Sequence, residues 1–159
     1  MVKSIDKKSE AWPDHLGWRL SKANRAWQTA FVRAMRAAGH DWMTDARATL
    51  LGHVAGRGTA QSVLIERMGI SKQAVQQLID GLEGEDIVRR LPDPRDRRAR
   101  IVAHTPKGRS ALRDADRIKI ELEERYRKLL GQEGLAALKS ALAALALSTN
   151  DDIRGDREG

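Results

Sequence analysis

The chain has 159 residues, a length suited to one domain with room for an elongated arm. Apolar residues make up 41% and aromatics only 4%, so the core must be aliphatic, and the absence of cysteine excludes disulfide frameworks, thiolate metal centres and thiol redox sensing. The net charge of +7 is concentrated: residues 87–113 carry nine Lys/Arg against Asp93 and Asp96, so the rest of the chain sums to neutral, which is the footprint of a segment that meets a polyanion.

Residues 1–13 read as an N-terminal extension. Residues 14–38 place Leu16, Leu20, Ala23, Trp27, Ala30, Phe31 and Ala34 at spacings of three and four, which predicts an amphipathic helix stopped by Gly39. Thr44 is positioned to cap a second helix that runs to about Ala55, with Ala46, Leu50, Leu51 and Val54 inward, and Gly56-Arg57-Gly58 breaks it.

The next stretch, AQSVLIERM, a turn at Gly69-Ile70-Ser71, and KQAVQQLIDGLEG read as a helix-turn-helix with Ser71 as N-cap of its second helix. Leu64, Ile65, Met68, Ile70, Val75, Leu78, Ile79 and Leu82 would form its core. IVRRL and ARIVAH then read as two strands, with a Pro/Asp/Arg hairpin tip between them.

Thr105 followed by Pro106 restarts a helix, a capping hydroxyl with proline at the first helical position. Its seam holds Ala111, Leu112, Ala115, Ile118, Leu122, Tyr126 and Leu129. Gly131 and Gly134 interrupt it, Leu135, Leu138, Leu142 and Leu145 mark a final helix, and residues 148–159 read as a frayed polar tail. The fold class is thus mainly α with a small β-wing.

A helix-turn-helix followed directly by a basic hairpin is a winged helix-turn-helix, whose second helix enters the major groove of DNA while the wing reaches the flanking minor groove or backbone. Lys72, Gln73, Gln76 and Gln77 remain for the outer face of that helix: glutamine can pair bidentately with adenine, and lysine can reach guanine or phosphate. RNA is disfavoured, because an A-form major groove does not admit a reading helix.

These residues carry a resemblance. The run ERMGISKQAVQQLIDGLEGEDIVRRLPDPRDRRARIVAHTPKGRSAL resembles the MarR family of bacterial transcriptional regulators, and the likeness extends over about residues 14–146. Asp93, Pro94, Asp96, Arg98, Thr105, Lys107 and Gly108 match the wing pattern of that family. The resemblance implies a single domain over 14–147: helices at about 14–38 and 106–147 would form a dimerisation arm, and the winged helix-turn-helix would occupy about 44–105. It also implies a homodimer on an inverted-repeat operator in double-stranded DNA, with the arginines of each wing in the minor groove. The expected DNA contacts are Ser71, Lys72, Gln73, Gln76, Gln77, Arg95, Arg97 and Arg98, with Pro94 and Asp96 shaping the wing and Asp96 ion-paired to Arg98. The family usually has glycine just before the first wing strand, where this chain has Asp86. Either the recognition helix ends a turn early or Asp86 adopts the left-handed conformation.

The resemblance further makes a small aromatic carboxylate or phenolic effector plausible. His15, Trp18, Arg19, Lys22, Trp42 and Arg47 offer flat apolar surface beside cations at the junction of the first two helices. No histidine pair has metal-ligand spacing, and His104 reads as a wing-edge residue near phosphate. No catalytic constellation stands out, so neither an enzyme nor a cofactor is expected. No apolar run approaches the ~18 residues needed to span a bilayer, and the first ten residues lack the apolar stretch of a signal peptide. The expectation is a cytoplasmic, nucleoid-associated repressor released by its ligand. The alternative is a ligand-independent, constitutive or architectural DNA-binding protein.

Overall fold

The computed structural model describes residues 14–155, with side chains described through residue 147. The expected extension, 1–13, and the last four residues of the expected tail lie outside the described residues.

Helix α1 (Leu16–Ala37) starts at His15, whose Nδ1 accepts from the Trp18 N–H at 3.1 Å. It buries Phe31 and Met35 in its second half and closes beyond Ala38, where the His40 N–H reaches the Met35 carbonyl. Helix α2 (Asp45–Gly52) is capped as expected, the Thr44 hydroxyl accepting from the Arg47 N–H at 3.2 Å. It ends at Gly52, short of Ala55. Ala46, expected inward, faces solvent, while Leu50 and Leu51 are buried.

A two-residue strand, β1 (Thr59–Ala60), follows; the glycine run was expected only to break a helix. Helix α3 (Gln61–Met68) and helix α4 (Lys72–Gly84) then form the helix-turn-helix, with the Ser71 hydroxyl accepting from the Ala74 N–H at 3.1 Å. Leu64, Val75, Ile79 and Leu82 are fully buried. Ile70, expected beside them, is exposed, because left-handed Gly69 reverses the chain just before it.

Strands β2 (Val88–Pro92) and β3 (Arg100–His104) pair antiparallel from Val88 opposite His104 to Pro92 opposite Arg100, and β1 adds to the other edge of β3. Between α4 and β2, Asp86 takes the left-handed conformation at φ 57°, so the helix runs its full length and the turn follows. Thr105 holds that turn: its hydroxyl donates to the Asp86 carbonyl at 2.5 Å, and its N–H donates to the Ile87 carbonyl at 3.1 Å.

The same Thr105 hydroxyl accepts from the Gly108 N–H at 2.9 Å and so caps α5 (Pro106–Gly155). A backbone break at Gly131 (φ 75°, ψ 167°) divides α5 into two segments. A side chain at that φ would be strained, which is the reason for glycine there. Gly134, expected to interrupt the helix, lies within it. After Gly134 no glycine or proline occurs before Gly155, and residues 148–155, expected to fray, continue the helix.

Ala111, Ala115, Ile118 and Leu122 of α5 join the core with Phe31 and Met35, and Trp27 stacks on Tyr126 with ring centroids 5.7 Å apart. Leu129, expected in this seam, is exposed just before the break.

Candidate nucleic-acid interface

Helix α4 has 13 residues, roughly 20 Å at 1.5 Å per residue, long enough to lie in a groove. Its inner face is spent on the core, and Ser71, Lys72, Gln73 and Gln77 are exposed on the other side. Gln76 is half-buried: the Arg90 guanidinium lies 3.5 Å from its carbonyl oxygen. The Ser71 hydroxyl is engaged as the helix cap.

Two carboxylates on α4 would repel a phosphate backbone, and Arg90 of β2 holds both. Its guanidinium is 2.7 Å from Asp80 Oδ1 and is ion-paired with Glu83. Its backbone N–H donates to Glu83 Oε1 at 2.7 Å, and its Nε donates to Gln61 Oε1 at 3.0 Å. One arginine thus ties α3, α4 and the wing together. Sequence reasoning counted Arg90 only as part of the basic segment. Its opposite charges at Asp80 and Glu83 were the available signal, but which arginine takes them depends on the packing of β2 against α4.

The wing uses its own acids in the same way. Asp93 Oδ1 accepts from the Arg95 N–H at 2.8 Å, and Asp96 Oδ1 accepts from the Arg98 N–H at 2.9 Å. These are two side-chain-to-backbone turns, the local bonding for which aspartate is suited. The expected ion pair between the Asp96 and Arg98 side chains does not form. The carboxylate meets the backbone N–H of residue 98, leaving the guanidinium outside. Among the described residues, no carboxylate pairs with the side chains of Arg95, Arg97 or Arg98. All three are exposed, as is Pro94.

Where the wing meets the helix-turn-helix, a shallow depression of about 220 Å³ is lined by Gln61, Ser62, Ile65, Lys72, Arg98, Ala99 and Arg100. Three cations and two polar side chains, with no carboxylate among the described residues of the wall, suit an anionic oxygen cluster such as a phosphate. Gln61, Ser62 and Arg100 were not among the expected contacts. They lie in the first helix of the motif and the second wing strand, and meet Lys72 and Arg98 only through the β2–β3 pairing and the packing of α3.

The expected effector residues do not converge. Trp18 lies near the start of α1, roughly 20 Å along the helix from Phe31. Phe31 shares a cavity wall with Trp42. Arg19 is paired with Asp14, its Nε donating at 2.6 Å, and Lys22 sits 5.9 Å from the centre of the exposed Trp18 ring. His15 is a helix cap. Arg47 donates to the Trp42 carbonyl at 2.8 Å and packs against Gly81 of α4, where any side chain would collide with its guanidinium. Residue type had grouped the six; the length of α1 separates them.

One cavity lies between α1, α2, β3 and α5. It measures about 170 Å³ and is walled by Trp27, Phe31, Trp42, Met43, Leu51 and Ala111, among others, with Gln28, His104 and Lys119 as its polar side chains. His104 is buried beneath the wing and not at its edge, because the alternation of β3 turns it toward the core opposite Val88. Burial pushes its imidazole below the ordinary value, against a bond to the Val54 carbonyl, and the charge of Arg109 acts in the same direction as burial. His40, edge-on to Trp42 at 5.7 Å between ring centroids, lies 3.0 Å from Asp114 of α5. That contact, with Arg117, holds the Asp114 carboxyl below its usual value.

Residues 43–99 match the sequence pattern of the MarR family. Comparison with curated proteins returned no match. Among solved structures, the fold is similar to a transcriptional repressor, CouR, bound to a 23-mer DNA duplex: 28% identity, TM-score 0.68, covering 83% of this chain and 92% of that one. A MarR-family transcriptional regulator from Rhodococcus sp. RHA1 matches at 24% identity and TM-score 0.70, covering 87% and 96%. Wild-type MarR from E. coli matches at 19% identity and TM-score 0.71, covering 84% and 98%.

Proposed function

We propose that the chain is a homodimeric, winged-helix, DNA-binding transcriptional repressor of the MarR family, released from an inverted-repeat operator by a small aromatic ligand. The observation that carries the DNA part is the disposition of charge. Asp80, Glu83, Asp93 and Asp96 are all held within the chain, while Lys72, Gln73, Gln77, Arg95, Arg97 and Arg98 are left exposed. Counterion release on meeting phosphate then supplies sequence-independent affinity, and the glutamines of α4 supply base reading.

The dimer rests on the arm, where Leu16, Leu20, Leu138, Leu142 and Leu145 are exposed in the single chain. Burying that surface would set two recognition helices about one DNA turn apart. Release requires a ligand that binds the DNA-incompetent form more tightly than the competent one. The cavity between arm and lobe is where such a ligand would act, in place of the dispersed residues at the start of α1. Among the described residues no helix is long and apolar enough to cross a membrane, and the reading is a cytoplasmic, nucleoid-associated protein.

Selection of bound sequences from a random duplex pool tests this directly. An inverted repeat with half-site centres ~10 bp apart is expected. Recovery of no preferred sequence, with uniform affinity for all duplexes, would leave a non-specific architectural protein.

A further inference from the structure

Helix α4 carries a glycine at position 81, inside the element and without a positive φ. Glycine is a poor helix former, and no turn or left-handed backbone calls for it there. The space its side chain would take is filled by Arg47 of α2. A Cβ on Gly81 would collide with Arg47 Nη2 and lie 3.3 Å from its Cζ. The guanidinium thus rests against the backbone of α4, on a half-buried side chain with no carboxylate partner among the described residues.

The other side of the guanidinium is fixed as well. Arg47 Nη1 donates to the Trp42 carbonyl at 2.8 Å, and Trp42 is buried. The short loop that carries this carbonyl is tied at three points. The His40 N–H donates to the Met35 carbonyl at 3.0 Å, and Arg36 Nε donates to the Met43 carbonyl at 2.9 Å. His40 Nε2 lies 3.0 Å from Asp114 of α5. Contacts therefore run unbroken from α5 through His40, Trp42 and Arg47 to Gly81.

From this we infer that Arg47 is a positioning residue for the recognition helix, a strut between the loop anchored on the arm and the backbone of α4 at Gly81. It acts through α4 and not on phosphate. The inference rests on α4 as the base-reading helix proposed above. Bidentate bonds to base edges weaken steeply as distance and angle drift, whereas long wing arginines can follow the backbone through a small displacement. Loss of the strut should therefore lower selectivity more than general affinity.

The test is a double-mutant cycle in the full chain over Arg47→Ala, Gly81→Ala and the pair, read on a selected operator and on random duplex. Gly81→Ala displaces the movable end of Arg47 and should weaken operator binding about tenfold, with random-duplex affinity unchanged. Arg47→Ala should do the same, and its slope of log affinity against log salt should match the wild type, because no phosphate contact is lost. In the Arg47→Ala background, Gly81→Ala should have no further effect on operator binding. His40→Ala should lower selectivity in the same sense by freeing the loop. Denaturant midpoints read the contact without DNA: Gly81→Ala should raise the midpoint in the Arg47→Ala background through helix propensity, and raise it less in the wild-type background. Additive losses across the cycle overturn the inference, as does an Arg47→Ala slope flattened by a full unit. Unchanged selectivity in His40→Ala overturns the anchoring to the arm. Full selectivity in Gly81→Ala beside a selective wild type strikes the strut alone, whereas a wild type that binds all duplexes alike removes the operator reading and the strut together.

Discussion

The reading lobe and the helical arm draw on the same aliphatic residues and bury them differently. In the lobe, Leu64, Val75, Ile79 and Leu82 are wholly enclosed within one chain. In the arm, Leu16, Leu129 and Leu147 keep 57%, 77% and 67% of their surface exposed. Isolated exposed leucines are ordinary, but a row of them along one pair of helices marks a surface completed by something else. Charge is distributed in the opposite sense. In the lobe, Asp80, Glu83, Asp93 and Asp96 are turned onto Arg90 and the backbone, whereas the arm keeps acids in exposed pairs such as Arg117 with Glu121 and Lys139 with Glu123. The lobe is a finished core with an unfinished charge, and the arm is the reverse.

That contrast can be attacked from either side. Leu138→Asp with Leu142→Asp should give a monomer by sedimentation with helix content retained. Operator affinity should fall on the order of 10²–10⁴-fold as the two half-sites cease to be linked. Unchanged dimerisation would place the interface elsewhere. In the lobe, Ile79→Ala should cost about 2–5 kcal/mol by denaturant titration. A loss below about 1 kcal/mol, well under that range, would mean the lobe core is not closed within the chain.

Gln73→Ala should cost ~1–3 kcal/mol on the cognate site and little on random duplex. Equal losses on both would remove Gln73 as a base reader. Asp86→Gly should stabilise the chain by up to about 1 kcal/mol, since glycine takes the left-handed turn without steric cost. Destabilisation would show that the Asp86 side chain is needed at the turn.

The smallest effect concerns His104. Its folded-state value lies below the ordinary 6.5, so as pH falls the unfolded chain takes up the proton first. Its contribution to stability should be flat above about pH 6.5 and decline below it. A urea midpoint for which the wild type and His104→Gln show the same change between about pH 7.5 and 5.5, a window spanning the ordinary histidine value, would contradict this.

Local signals carried most of the fold. Periodicity together with Ser71, Thr44 and Thr105 as caps located α3, α4 and the starts of α2 and α5, because a cap acts within three residues of itself. What could not be read depends on partners far along the chain. β1 exists only through its pairing with β3. Arg90 is withdrawn from the basic surface by groups on α3 and α4. The choice at Asp86 was settled by Thr105. The effector residues failed for a related reason: aromatic and basic side chains were grouped by type across a helix too long to bring them together. The cavity that formed instead has His104 on its wall, a residue whose inward direction follows from its register opposite Val88.

The central claim is that internal partners hold Arg90 back from phosphate and leave the wing arginines Arg95, Arg97 and Arg98 free to meet it. The salt dependence of operator binding tests it most directly, measured for the wild type, Arg95→Ala, Arg97→Ala and Arg90→Ala. The wing variants should flatten the slope of log affinity against log salt by about one unit for each phosphate no longer neutralised. Arg90→Ala should weaken binding by releasing Asp80 and Glu83 while leaving the slope no flatter than the wild type. An Arg90→Ala slope as flat as that of Arg97→Ala, or wing variants with the wild-type slope, would contradict the account.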